Sequence, residues 1–126
     1  MANGTYMLPA FGDGASYVKL ADGTLIQWGF YQYPQGSIAN VTHKDQVITY
    51  PVEFHSSTGI PLVSVSNVGT GMGTGSQPNV CIPLAGNLNA STKLTSFTLR
   101  AWKQASVGTD NDPEPLVSWI AIGRWK

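Results

Sequence analysis

The chain has 126 residues, 42% of them hydrophobic and 11% charged, and its 7 basic and 7 acidic side chains cancel to a net charge of zero. That length closes one hydrophobic core. The charge balance lacks the basic stripe of a nucleic-acid binder, and no run of about 18 apolar residues is present to span a membrane. The lone cysteine, Cys81, excludes an intrachain disulfide and a cysteine-built zinc site.

The opening MANGTYMLPAFGDG has neither a basic n-region nor a continuous apolar stretch, so it does not read as a secretion signal. Its glycines, proline and isolated aromatics read as a lead-in over 1–14, the end of a longer rod, with the folded domain over 15–126. The first strand expected is SYVKL (16–20), followed by Asp22-Gly23, a strong hairpin signal. The next is TLIQWGFYQY (24–33). There Leu25, Gln27, Gly29, Tyr31 and Tyr33 alternate with Ile26, Trp28, Phe30 and Gln32, and the second set, apolar until Gln32, is expected to face the core. Further runs are QVITYPVEF (46–54), LVSVSNV (62–68), NVCIPL (79–84), KLTSFTLRAW (93–102) and LVSWIAIGRW (116–125). No window combines helical apolar spacing with freedom from glycine, proline and β-branched runs. Short strands at this spacing predict an all-β chain, an antiparallel β-sandwich of about six to eight strands.

The last run raises a question. Trp119, Ala121, Gly123 and Trp125 point one way, and Ile120, Ile122 and Arg124 the other. Both faces begin apolar. One can lie on the chain's own core; the other needs a covering. Burying Ile120 and Ile122 is worth roughly 2 to 3 kcal/mol per side chain. Together with the low charged fraction, well under the roughly 25% of an average domain, this predicts a homo-oligomer.

Catalytic and metal-binding patterns are sparse. GTGMGTGSQ (69–77) is glycine-rich but lacks the lysine and the following helix of a phosphate loop. His43 and His55 have no partner at a ligand spacing, and a lone histidine on a β-protein is more often a hydrogen-bonded or surface residue than a ligand. Asp110, Asp112 and Glu114 crowd the loop 104–115 without the glycine and bidentate glutamate of an EF-hand, so no metal and no cofactor is assigned. A glycosidase pair would have to be drawn from Asp13, Asp22, Asp45, Glu53 and those three acids, and Asp22 is already explained by its turn. No GxSxG motif occurs, and Cys81 lies inside an apolar run, so no catalytic residue is assigned and the chain reads as a non-enzyme. What remains is aromatic and polar. Tyr31, Tyr33, Tyr50, Trp102 and Trp125 are the candidates, most of them at or near strand ends. An aromatic ring stacks on the apolar face of a sugar while amides and carboxylates take its hydroxyls. The alternative for each is a core or subunit contact, strongly favoured for mid-strand Trp28 and Trp119.

YVKLADGTLIQWG (17–29) resembles the opening of the C-terminal domains of phage tail fibres. TYPVEF (49–54) is similar to that family's next strand, with Tyr50, Pro51 and Phe54 in its aromatic, proline and aromatic places. SFTLRAW (96–102) followed by WIAIG (119–123) resembles its ending, so the likeness runs in order over 16–126. The resemblance implies an H-type-lectin-like sandwich, assembled as a homotrimer at the distal tip of the fibre on the virion. It implies binding of a polysaccharide or other receptor on the bacterial surface during adsorption. A trimerisation or capping domain without a ligand is the alternative, and a polysaccharide-cutting tip ranks third because no spike-like repeat is present. Carried over to this chain, the resemblance singles out Arg100 and Trp102, on one side of their strand. Lys103 and the loop residues Asp110, Asn111 and Asp112 join them in a ligand-binding cleft between subunits. The family often stops near WIAIG; here Arg124, Trp125 and Lys126 follow, to tune a receptor surface or seal the end of the trimer.

Overall fold

Seven strands in two antiparallel sheets face each other across an aromatic core in this computed structural model, which describes residues 14–34, 43–68, 81–103 and 116–126. The strands are β1 (Gly14–Lys19), β2 (Thr24–Gln32), β3 (His43–Thr49), β4 (Leu62–Asn67), β5 (Cys81–Gly86), β6 (Ser96–Lys103) and β7 (Leu116–Arg124). One sheet runs β1-β2-β7-β4, the other β3-β6-β5. The only helix among the described residues is a 3₁₀ turn, Ser56–Thr58. The expected all-β sandwich is therefore found. Most of the expected lead-in, and the loops 69–80 and 104–115, lie outside the described residues.

The Asp-Gly signal closes the β1–β2 hairpin. The Gly23 amide donates to the Leu20 carbonyl (3.0 Å) and the Leu20 amide to the Thr24 carbonyl (2.8 Å). Gly23 takes a φ of 97°, a conformation that only glycine adopts without strain. The Asp22 carboxylate accepts from the Thr24 amide at 2.8 Å, and that bond holds its pKa below the usual carboxylate value.

β7 behaves as its alternation predicts. Val117, Trp119 and Ala121 are buried, while Ile120 points outward and is 41% exposed. β2 does not. Its core face is Leu25, Gln27 and Gly29, with Tyr33 following, and Ile26, Trp28 and Phe30 lie on the outer face, half-buried. The polar residue that made this face look external is fully satisfied inside. The Gln27 carboxamide donates to the Val52 carbonyl and accepts from the Val52 amide, both at 2.8 Å, so its burial carries no unpaired group. Gly29 stands opposite Trp119 in the β2–β7 ladder.

β3 begins at His43 and ends at Thr49, three residues before the expected start and five before the expected end. Residues 50–54 leave the ladder, yet Tyr50 and Phe54 still face inward at 5% and 1% exposure. Tyr50 packs on Phe54, Phe97 and Trp119, with ring centroids 4.9, 5.7 and 6.1 Å away. Tyr33, 1% exposed, directs its hydroxyl at the carbonyls of Leu99 (3.1 Å) and Lys44 (3.2 Å). Tyr33 and Tyr50 are thus core residues and drop out as sugar-stacking candidates.

Candidate functional site

The outer face of the β3-β6-β5 sheet carries the two strand residues singled out from the sequence. Phe97, Leu99 and Ala101 of β6 point into the core, each no more than 1% exposed. Strand alternation then sends Thr98, Arg100 and Trp102 outward together. Register sets their neighbours: Asp45, Arg100 and Leu84 form one row, His43, Trp102 and Ile82 the next, and Val47, Thr98 and Gly86 the row on the other side.

Arg100 and Asp45 form a two-pronged pair, Nε to Oδ1 at 2.7 Å and Nη2 to Oδ2 at 2.9 Å. The Arg100 hydrogen bonds, and then its charge, hold the Asp45 carboxyl below its ordinary pKa; the same pair raises that of the guanidinium. Both side chains stay about two-fifths exposed, at 43% and 40%. Two of the five guanidinium N–H groups are engaged in this pair.

Beside the pair lies a depression of about 290 Å³ lined by Asp45, Leu84, Ala85, Gly86, Asn87, Thr98 and Arg100. Asn87 follows β5 in a left-handed conformation (φ 59°), and its Nδ2 donates to Thr98 Oγ1 at 2.7 Å. That bond fixes the carboxamide at the rim. Leu84 is 47% exposed and supplies an apolar wall. The arrangement offers a cation, a carboxylate, an amide, a hydroxyl and an aliphatic surface within one shallow concavity. It holds the group types that bind a polyhydroxylated ring.

Arg100 and Trp102 are thus brought to one exposed face. Lys103 is the last residue of β6, but its side chain lies outside the described residues, as do Asp110, Asn111 and Asp112. Asp45, Asn87 and Thr98 were not expected. Asp45 was missed because β3 opens with His43-Lys44-Asp45, a charged stretch that hydropathy reads as loop. The available signal was alternation: Asp45 and Val47 share a face.

The remaining candidates have local roles. The His55 Nδ1 accepts from the Ser57 amide at 3.1 Å and caps the 3₁₀ turn. The Tyr31 hydroxyl donates to Gln46 Oε1 at 3.1 Å. Trp125 donates from Nε1 to the Leu20 carbonyl (2.8 Å), with the Lys126 and Lys19 ammonium groups 4.8 and 5.4 Å from its ring centroid. Arg124 donates from Nη2 to the Asp22 carbonyl at 2.9 Å. The residues after WIAIG therefore tie β7 to the β1–β2 turn of their own chain. Among the described residues no three His, Cys, Asp or Glu side chains converge as a metal site would require.

Residues 19–124 match the family described as "Putative tail fiber protein gp53-like, C-terminal". A solved structure of the P. aeruginosa R1 pyocin fibre, comprising its C-terminal residues 323–701, is similar at 18% identity and a TM-score of 0.49. The match covers 87% of this chain and 27% of that one. No curated protein matches the chain.

Proposed function

Because this chain belongs to the gp53-like family of phage tail-fibre C-terminal domains, a component of the virion tail, we propose that it binds a carbohydrate receptor on the bacterial surface from the distal tip of the fibre. The observation that carries the reading is the Arg100–Asp45 pair in the wall of a concavity of monosaccharide scale, with Trp102 in the neighbouring row of the same sheet face. A half-buried indole supplies a stacking surface, and the ion pair supplies both donors and acceptors for ring hydroxyls. Binding of this kind breaks no bond, so the domain acts as a non-catalytic module. Release of sugar from purified host polysaccharide would overturn that part of the reading.

The working form is a homotrimer, H-type-lectin-like in build. Support comes from the outer face of the other sheet. Val18, Ile26, Ile122 and Leu62 form one row across β1-β2-β7-β4, and Ser16, Trp28, Ile120 and Ser64 the next. The following row holds Phe30 with Ser118 and Ser66. No charged residue interrupts these three rows, and Arg124 stands only at their margin. Leu62 is 69% and Ile120 41% exposed in the single chain, leaving about 2 and 1 kcal/mol still to be gained by covering them. A face of this kind is covered in a stable soluble protein. Three weak sites, each roughly millimolar, would then gain by avidity.

This face also favours the second reading, a structural trimerisation cap without a ligand, and one experiment separates the two. Purified domain is added as a competitor of phage adsorption, as parent, Trp102→Ala and Arg100→Ala, with particle mass measured in parallel. Loss of competition with trimer mass retained supports receptor binding. Competition equal to the parent in both variants removes this face as the receptor site.

A further inference from the structure

Resting on the carbohydrate-binding reading, we infer that the depression beside Arg100 selects a neutral sugar ring and discriminates against uronic and other anionic sugars. An arginine on an exposed sheet is ordinarily a reason to expect an acidic ligand, because the guanidinium fork matches a carboxylate. Here one edge of the fork is already filled and its charge is neutralised. Asp45 occupies Nε and Nη2 at 2.7 and 2.9 Å, and it comes from the adjacent strand in direct register, so the ladder itself holds the pair together. The lining of the depression contains one cation and one anion, the rest being Leu84, Ala85, Gly86, Asn87 and Thr98. An incoming carboxylate meets a neutralised arginine and a negative oxygen beside it. At the N–H groups that Asp45 leaves open it gains little net attraction, because the Asp45 charge offsets that of the guanidinium and repels a second anion.

A neutral hydroxyl meets no such repulsion. It accepts from guanidinium N–H groups that Asp45 does not use and donates to the carboxylate lone pairs that Arg100 leaves open. Two neighbouring ring hydroxyls can therefore bridge the ion pair without breaking it. The Asn87–Thr98 bond at 2.7 Å sets an amide at the opposite rim for a further hydroxyl. Leu84, in the same row as the pair and 47% exposed, offers its methyl groups to the C–H face of the ring. About 290 Å³ suits one residue of a glycan chain.

The test uses the uniformly labelled chain in its native assembly. It is titrated with D-glucose, D-galactose, D-mannose and L-rhamnose, and separately with D-glucuronate and D-galacturonate. The readout is the NMR shift of the Gly86, Asn87 and Thr98 amides and of Arg100 Nε–H. At least one neutral sugar should move these signals at a concentration tenfold or more below that of either uronate. Asp45→Asn, checked for intact fold by circular dichroism, should shrink that ratio severalfold or invert it, because it frees the cation. A uronate that binds the parent as well as the neutral sugars do, or a ratio unchanged in Asp45→Asn, overturns the selectivity while the carbohydrate reading stands. If neither class moves these signals, the carbohydrate reading of this face falls, and the selectivity falls with it.

Discussion

Gln27 holds Val52 as a strand neighbour would, donating to its carbonyl and accepting from its amide at 2.8 Å each, although residues 50–54 pair with no strand. One side chain thus replaces a rung of backbone ladder and, with the Tyr50 and Phe54 amides donating to the Thr95 and Leu94 carbonyls at 2.9 Å each, lays the Tyr50–Phe54 segment over the core. Gln27→Leu keeps the volume and leaves both Val52 groups unpaired in a half-buried setting. We expect a loss of about 2 to 4 kcal/mol, read from urea denaturation, with the sandwich retained in the folded fraction.

Ile122 and Ile26 face each other on the outer side of the β2–β7 ladder. Ile122→Glu should dissociate the proposed trimer, because assembly would bury an unpaired charge, while the monomer keeps its β-type circular dichroism spectrum. Light scattering that shows one unchanged mass for parent and variant would speak against this face as the interface. Trp119→Ala on the inner side is the contrasting case. It should cost about 3 to 5 kcal/mol of fold stability.

The Tyr50 hydroxyl is buried and has no hydrogen-bond partner among the described residues. Tyr50→Phe should therefore leave stability unchanged or raise it by up to about 1 kcal/mol. Burial pushes the Tyr50 pKa up, so the folded state keeps its proton where the unfolded chain releases it. The stabilising share is complete below about pH 10 and is lost as pH rises beyond it. Alkaline unfolding followed by fluorescence should begin at higher pH in Tyr50→Phe than in the parent.

Asp45 shows the opposite sign. Its folded pKa lies below the ordinary value because of the Arg100 hydrogen bonds. The pair is intact above the ordinary carboxylate range, about 3.9, and is lost as pH falls through the folded value. An NMR titration of the Asp45 carboxyl should show a midpoint below 3.9 that moves back up in Arg100→Gln. Global stability should change little, since both side chains are well exposed to solvent.

A Cβ added at Gly123 would stand 2.6 Å from Phe54 Cδ1 and 2.7 Å from Thr58 Cγ2. Gly123→Ala should cost about 1 to 3 kcal/mol by overpacking, visible as a lower melting temperature. Leu62→Ala, on the exposed side of the neighbouring strand, should leave the fold stability of the single chain nearly unchanged.

The strand inventory was legible because turn chemistry and period-two alternation are local properties, and Asp22-Gly23 and β7 followed both. The orientation of β2 was not legible. Hydropathy ranks a strand's faces by how apolar they are, and here the more apolar face, Ile26, Trp28 and Phe30, lies outward. Nothing local to Gln27 announces that Val52, 25 positions away, will satisfy it. β3 failed at its start for a related reason: Asp45 is tolerated in a strand because Arg100 waits on the next one, 55 positions away. The pairing of Arg100 with Trp102 on one face needed only alternation and was foreseen. The contributions of Asn87 and Thr98 depend on how β5 turns into its loop, which the sequence does not display.

One of the two inner strands of the larger sheet is recruited late. β7 lies between β2 and β4, and Thr24 pairs with Arg124, about a hundred positions downstream. Any chain broken before Leu116 retains β2 and β4 with the edges that β7 would pair left open. Such a fragment is a template for strand addition by another copy of itself. Proteolytic loss of β7 should therefore produce insoluble aggregates rather than a smaller folded module, and refolding of the whole chain should be slow, limited by closure of the long-range ladders that β7 makes with β2 and β4.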